Sequence, residues 1–399
     1  MPKLHFMILM LIKIMKKKII LLILTYLLTT INSLAIENNS NEKILKIGVL
    51  LPLSGKFQDT GQSFLKAIQL AMFDIGNENI KIYPRDSKGN ALDAYLKAQE
   101  LQELGVKIVI GPIFFESLKK IEKINDMTFI ALTNKTEKIP KNTIAFGINI
   151  KSQIDALEKY FTKIEASKTL FLSPDSEFTN QAKVIEDSGL KFHKKFFYNT
   201  SAKKITGEIE KITNYRERKR DLERRIKILE KSDLYKDKNE LKKLEQKHTL
   251  GKVNFDTVIV LDFGERLKSV LTSFMFSDIS NEEVNFFTVN QWFDKTLFNE
   301  SALQNLHFPS IDFENLKKFE KRYLDTYKEN ANQVSILAYD ALGLIYHCWY
   351  SNNYQFKSSH LYNKNGFRGL NGEFIIKENA SRHKLKIYKI SKKKFLKVH

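Results

Sequence analysis

From residue 43 onward, apolar positions follow two alternating periods. Short apolar runs bounded by Gly, Pro or Ser read as buried strands. Stretches with apolar residues three and four apart read as helices with one buried stripe. Residues 44–53 form such a run, ended by Ser54-Gly55, and Phe64, Ile68, Ala71, Met72 and Ile75 make the stripe of the next helix. The alternation continues with a strand over 80–83, a helix over 92–104 stopped by Gly105, and a strand over 106–110 ending in Gly111-Pro112. A helix over 118–124 and strands over 128–132 and 143–148 follow. A second set comprises a helix over 153–161, a strand over 169–172, a helix over 179–187 and a strand over 191–198. Strands over 257–261 and 285–289 complete it. This order predicts an α/β chain of parallel sheets flanked by helices. Right-handed crossovers open crevices at the strands' C-terminal ends.

The tail changes character. Helices over 313–327 and 334–349 precede the glycine-rich segment 366–372, after which 373–376 and 384–390 read as an antiparallel pair. Two α/β sets closed in this way imply two lobes with several crossovers. Residues 213–250 interrupt the second set. Between Arg216 and Lys247 lie thirteen basic and eight acidic residues, with Leu222, Ile226, Leu229, Leu234, Leu241 and Leu244 at roughly helical spacing. The segment predicts an inserted helical hairpin bending near Ser232-Asp233, either a partner-binding finger or a protrusion with no partner.

Composition narrows the function. Of 399 residues 43% are hydrophobic and 12% aromatic, enough for a sizeable core. The net charge of +19 points first to nucleic acid or an anionic surface. However, only ten of the basic residues are Arg, and Lys, Asn and Ile are abundant throughout, which reads as a general composition bias. The N-terminal region then removes nucleic acid from consideration. Lys16-Lys17-Lys18, an apolar stretch over 19–28, and Ser33 and Ala35 at −3 and −1 of a cut predict a cleavable signal peptide over 1–35, with Met15 as the expected start. The expected location is the periplasm. Cleavage leaves no stable membrane span, and no cysteine near the cut permits lipid attachment. The single cysteine, Cys348, lies in an apolar stretch and reads as a buried small hydrophobe.

Several motifs together resemble the type I periplasmic binding proteins, the leucine/isoleucine/valine-binding family. They are Ile47-Gly48-Val49-Leu50-Leu51-Pro52-Leu53-Ser54-Gly55 with Gly61, Val109-Ile110-Gly111-Pro112, and the closing segment 366–390. Within that family the chain looks most like the penicillin-binding protein activators, through Asn290-Gln291-Trp292, Tyr339-Asp340-Ala341, and Gly369-Leu370-Asn371-Gly372-Glu373-Phe374 with Arg382. The resemblance implies a two-lobed fold with an interlobe cleft and a hinge of three crossovers, placed near Asn149, Phe293 and Asn365. The lobes are then 44–148 with 294–365, and 149–293 with 366–399, the hairpin 213–250 lying in the second.

A dipolar amino acid needs hydroxyl or N–H donors for its carboxylate and a carboxylate for its ammonium. Ser54 and Thr133, after the first and fourth strands, sit where such donors belong. In the resembling binders an acidic residue follows the strand at 257–261, which is Glu265 here with Asp262 just before it. Phe178 falls near the position of a covering aromatic. One departure stands out: after Gly111-Pro112 the binders place a hydroxyl residue, and this chain has Ile113-Phe114-Phe115, with Ser117 displaced. Phenylalanine donates no side-chain hydrogen bond, which weighs toward a degenerate or apolar cleft. No HExxH, nucleophile elbow or phosphate loop is present and the eight histidines are scattered, so no catalytic residue, metal or cofactor is expected. The expected function is periplasmic capture of an amino acid or small polar ligand for an ABC-type permease. The alternative is a non-catalytic activator that docks on a peptidoglycan synthase.

Overall fold

In the computed structural model residues 44–399 are described; the expected signal peptide lies outside them. Strand β1 (Leu45–Leu51) is buried at six of its seven positions, as a continuous apolar run between two helical layers must be. Helix α1 (Gln58–Ile75) lays Phe64, Ala67, Ile68 and Ala71 onto the sheet and ends at Gly76, whose φ of 59° makes a left-handed cap. Strand β2 (Ile80–Asp86) pairs with β1 in parallel. Helix α2 (Ala91–Glu103) starts at Asn90, whose side chain accepts from the N–H groups of Leu92 and Asp93. It packs tightly over Gly48, where a Cβ would sit 2.8 Å from Leu101. Strand β3 (Ile108–Ile110), helix α3 (Phe115–Ile121), and strands β4 (Thr128–Ala131) and β5 (Thr143–Ala145) complete this half.

The chain then crosses to the second lobe through α4 (Ile150–Lys163), β6 (Thr169–Pro174), α5 (Thr179–Glu186), β7 (Lys194–Tyr198) and α6 (Ala202–Ile212). Helices α7 (Tyr215–Leu229) and α8 (Tyr235–Leu244) form the inserted hairpin, with a small core of Leu222, Leu229 and Leu244 and an Arg225–Glu240 pair joined by two 3.0 Å hydrogen bonds. Next come β8 (Thr257–Val260), α9 (Gly264–Phe276), β9 (Asn285–Thr288) and β10 (His307–Ser310). Helices α10 (Phe313–Tyr327) and α11 (Ile336–Tyr350) return to the first lobe, where Tyr327 donates to the Lys66 carbonyl at 2.9 Å. Strands β11 (Phe367–Gly369), β12 (Gly372–Lys377) and β13 (Ala380–His383) follow, then β14 (Lys386–Ser391) and β15 (Lys394–Lys397).

Two sheets result, one in the order β11-β12-β13-β5-β4-β3-β1-β2 and the other β15-β14-β10-β9-β8-β6-β7. This is the α/β, two-lobed arrangement with an inserted hairpin that the pattern predicts, but two of its crossovers fall elsewhere. The first lies at Asn149, as placed. The second lies after β10, not near Phe293, because β10 pairs with β9 and β14 in the second sheet. Pro309 and His307 break up the apolar signal of this four-residue strand. The third lies between β13 and β14, not near Asn365. Glu378 and Asn379, at φ of 51° and 57°, make a tight turn that folds β12 back onto β13. Thus 374–377 pairs with 380–383, while 386–391 joins the other sheet, correcting the predicted antiparallel pair of 373–376 with 384–390. By sheet membership the lobes are 44–148 with 313–383, and 150–310 with 386–399.

The hinge is polar and specific. Asn149 caps α4 by accepting from Ser152 N at 3.0 Å and donates to the Ser381 carbonyl at 2.5 Å. His383 N donates to Ser152 Oγ at 3.0 Å, and Arg382 pairs with Asp155 at 3.1 Å. On the first lobe, buried Asp340 of α11 accepts 2.8 Å hydrogen bonds from the N–H groups of Leu370 and Asn371, fastening the β11–β12 turn. Cys348 is buried, as its apolar neighbours imply.

Candidate functional site

The candidate residues of the first lobe begin where β1 gives way to Pro52-Leu53-Ser54. Helix α1 approaches this turn so closely that a Cβ on Gly61 would lie 1.9 Å from the Pro52 carbonyl oxygen. Ser54 Oγ donates to Asp86 Oδ2 at 2.5 Å, and the N–H groups of Leu53 and Lys88 each donate to Asp86 Oδ1 at 2.8 Å. Burial pushes the Asp86 carboxyl up, but the hydrogen bonds from Ser54, Lys88 and Leu53 outweigh it and hold the group below its ordinary value. The hydroxyl and amide donors expected for a ligand carboxylate are therefore engaged by the chain's own carboxylate.

The neighbouring turn is aromatic. The Phe114 ring lies 4.5 Å from that of Phe57, and Gly89 sits against both, where a Cβ would be 2.9 Å from Phe57. Ser117 is buried in α3. Thr133 is also buried, its Oγ1 accepting from Lys135 N at 3.3 Å in a local turn.

On the second lobe Asp262 follows β8 and is fully buried. Its carboxylate accepts from the Tyr198 hydroxyl, from Phe263 N at 2.8 Å, and from Arg266 Nε at 3.2 Å to each oxygen. Arg266 uses its two remaining nitrogens on Glu177, in a two-pronged pair at 2.7 Å. The Glu177 pair first, and then Asp262, hold the guanidinium more firmly protonated than usual, while burial and the Asp262 contact raise the Tyr198 hydroxyl. Phe178 has a left-handed backbone (φ 57°), and its ring meets Phe263 edge-on at 5.5 Å and the Arg266 guanidinium at 6.0 Å. Glu265 stands apart from this group. Its side chain is 87% exposed in the first turn of α9 and pairs with Lys268 at 2.9 Å.

The five residues picked from the sequence thus divide four ways. Ser54 is bonded to Asp86. Phe178 and Asp262 share the Arg266 cluster. Thr133 is buried and Glu265 faces solvent. Among the described residues no hydrogen bond or ion pair joins the Ser54–Asp86 turn to the Arg266 cluster, and five surface cavities of about 470 to 580 Å³ are lined by none of the five. Asp86, Tyr198, Glu177 and Arg266 complete these groups and carry little sequence signal. Only Arg266, four residues after Asp262 on a helical turn, had a spacing that announces an ion pair. Among the described residues no cluster of three or more His, Cys, Asp or Glu side chains is placed to hold a metal ion, and no helix is long and apolar enough to cross a membrane.

Residues 44–215 match the periplasmic binding protein family. No curated protein sequence is similar to the chain. Among solved structures, a putative branched-chain amino acid ABC transporter protein from Rhodospirillum rubrum superposes with a TM-score of 0.67 at 12% identity, over 89% of this chain and all of the other. The C-domain of LpoA from Haemophilus influenzae, a regulator of PBP1A, gives 0.60 at 15% identity, over 89% of this chain and all of that domain. Full-length LpoA is longer, and this chain spans 59% of it. The substrate-binding protein LivJ of Streptococcus pneumoniae, in complex with isoleucine, gives 0.53 at 14% identity, over 89% and 99% of the two chains. At such identities the superpositions establish the two-lobed type I fold alone. The resemblance drawn from the motifs holds for both groups, branched-chain amino acid binders and the PBP1A regulator.

Proposed function

We propose that this chain, with its type I periplasmic binding fold, works as a non-catalytic docking partner of a peptidoglycan synthase and not as an amino acid carrier. The observation behind this reading is the Asp86 carboxylate bonded to Ser54 Oγ and Leu53 N. Those are donors a captured amino acid would need, and displacing a carboxylate with three short hydrogen bonds costs a ligand much of its binding energy. The Ile113-Phe114-Phe115 segment, in which Phe114 packs on Phe57, supports the same conclusion, because Phe115 stands where the resembling carriers offer a hydroxyl. On the opposite lobe Asp262 is committed to Tyr198 and Arg266, and Glu265 lies in solvent beside Lys268. Neither is a free buried carboxylate waiting for an ammonium.

The test is direct. Residues 36–399, added to the membrane-bound bifunctional synthase of the same cell, should co-purify with it and change its rate of glycan polymerisation or cross-linking. Absence of both association and a change in rate would defeat the proposal. The carrier reading, with an ABC permease as partner, draws support from the isoleucine-bound LivJ sharing the fold. It predicts instead a saturable ligand and a domain closure on binding.

A further inference from the structure

The hairpin of α7 and α8 ends in an apolar tip that neither lobe covers. Ile228, Leu234 and Tyr235 are 55%, 68% and 81% exposed, while Leu222, Leu229 and Leu244 fill the hairpin's own core. The tip is held in shape. Arg225 and Glu240 clamp the two helices, Ser232 Oγ donates to Asp237 at 2.5 Å, and Leu234 N donates to Ser232 Oγ at 3.3 Å. Charge surrounds the three apolar side chains unevenly. Asp233 pairs with Lys238 and Asp237 is bonded to Ser232, whereas Lys227, Lys231 and Lys236 have no acidic group within ion-pair distance among the described residues. Among the described residues of the tip, Glu230 and Asp237 are the carboxylates with no cation in ion-pair distance. Further down, Lys242 and Lys243 of α8 are likewise exposed and unpaired.

A convex tip with apolar side chains at its end and ammonium groups just behind them fits a surface that stacks negative charge over an apolar layer. We infer that the hairpin tip docks on an anionic phospholipid bilayer. Ile228, Leu234 and Tyr235 enter the boundary between headgroups and acyl chains, and Lys227, Lys231 and Lys236 reach phosphates along their flexible stems. A tyrosine suits that boundary because its ring is apolar and its hydroxyl stays hydrated. The two helices, of 15 and 10 residues, are too short and too charged to cross the bilayer, so the contact is superficial and reversible. This inference is independent of what the interlobe cleft does.

The experiment is flotation of residues 36–399 with vesicles of phosphatidylcholine alone or mixed with phosphatidylglycerol. The protein should float with the phosphatidylglycerol vesicles and leave them at high salt. The triple variant Ile228→Ser, Leu234→Ser, Tyr235→Ser should lower the partition coefficient by roughly tenfold or more, the loss expected for even one apolar side chain of this size. Replacing Lys227, Lys231 and Lys236 by Gln should abolish the preference for phosphatidylglycerol. Tyr235→Trp should show a blue-shifted emission quenched by brominated lipid, which locates the contact at the tip. Unchanged melting of each variant, expected because these side chains are exposed, confirms that folding is intact. Absence of flotation at any phosphatidylglycerol content overturns the inference, including the case in which the tip proves to bind an acidic protein instead. Equal flotation of the triple variant, or unquenched emission from the tryptophan, overturns it as well.

Discussion

Removing Arg218 should detach the hairpin from the second lobe at a measurable cost. Its guanidinium is buried at the root of α7 and donates to Thr249 Oγ1 at 2.5 Å and to the carbonyls of Ser277 and Asp278 at 3.2 Å each, while Nε reaches the Gly251 carbonyl at 3.4 Å. Ser277 and Asp278 follow the C-terminus of α9, so Arg218 serves carbonyls that the helix end leaves without partners. Burial pushes the guanidinium down from its ordinary value, yet Asp278 and Glu283 lie close enough to oppose the shift and keep it charged. Arg218→Ala leaves these carbonyls unpartnered and opens a gap beneath α7. Each hydrogen bond from a charged donor contributes about 1.5–3 kcal/mol, and water entering beside the partly exposed Asp278 recovers some of that loss. The expected net cost is about 3 kcal/mol, near the low end for a broken buried charge network. On domain scaling this lowers the melting temperature by roughly 6–12 °C. Arg218→Lys should recover only part of the loss, because one ammonium cannot reach all four acceptors. Circular dichroism melts measure the shift, and hydrogen exchange should show α7 and α8 losing protection first. A melt within about 2 °C of the wild type would refute this account of the anchor. The same reasoning separates two excisions. Replacing residues 215–249 by a short linker removes both Arg218 and Thr249 and should cost as much as Arg218→Ala. Replacing only 220–247 keeps both and should be nearly free, since loop closure changes by about 0.6 kcal/mol per doubling of length.

Asp340 should make stability fall as pH rises. Burial raises its pKa to about 6 despite the backbone hydrogen bonds from Asn371 and Leu370. The folded state therefore binds the proton more tightly than the unfolded chain, and that contribution is complete at low pH and lost as pH passes through about 6. Unfolding free energies of wild type minus Asp340→Asn should drop by about 2 kcal/mol between pH 4.5 and 7.5, and a difference independent of pH would refute the assignment. Glu265→Gln should leave the melting temperature unchanged, because its carboxylate is 87% exposed and solvent screens its pair with the largely covered Lys268; a drop of several degrees would give this residue a structural role. Cys348 should resist maleimide labelling in the native protein and react only on unfolding, since burial pushes its thiol up to about 12; rapid native labelling would contradict this packing.

Much of the fold was legible because burial on both faces leaves a simple trace. The apolar runs at 44–53, 106–110 and 257–261 contain β1, β3 and β8, and the hairpin helices fall inside 213–250 with their bend beside Ser232. What escaped was short or polar. Strand β10 contains Pro309 and owes its place to β9 and β14, while β13 reads Ala-Ser-Arg-His and owes its place to its tight turn with β12 and to β5, distant in sequence. The two displaced crossovers follow from those two strands. The candidate residues were legible by their place along the chain and not by what engages them. Ser54 and Asp262 stand beside the strand ends where the pattern puts them, but the groups that engage them, Asp86 from β2 and Tyr198 from β7, arrive through sheet pairing. No spacing along the chain reports such a contact. Arg218 likewise sits among thirteen basic residues with no spacing that marks it, although it is buried at the hairpin's root.

The central claim is that the chain's own side chains hold the donors an amino acid would need. Calorimetric titration of residues 36–399 with each of the common amino acids tests it most directly. The account predicts no saturable heat for any of them at millimolar concentration, because a ligand carboxylate must first displace Asp86 from Ser54 and Leu53. A saturable isotherm with a Kd below about 100 μM, roughly 5.5 kcal/mol of binding, would contradict it and return the cleft to solute capture.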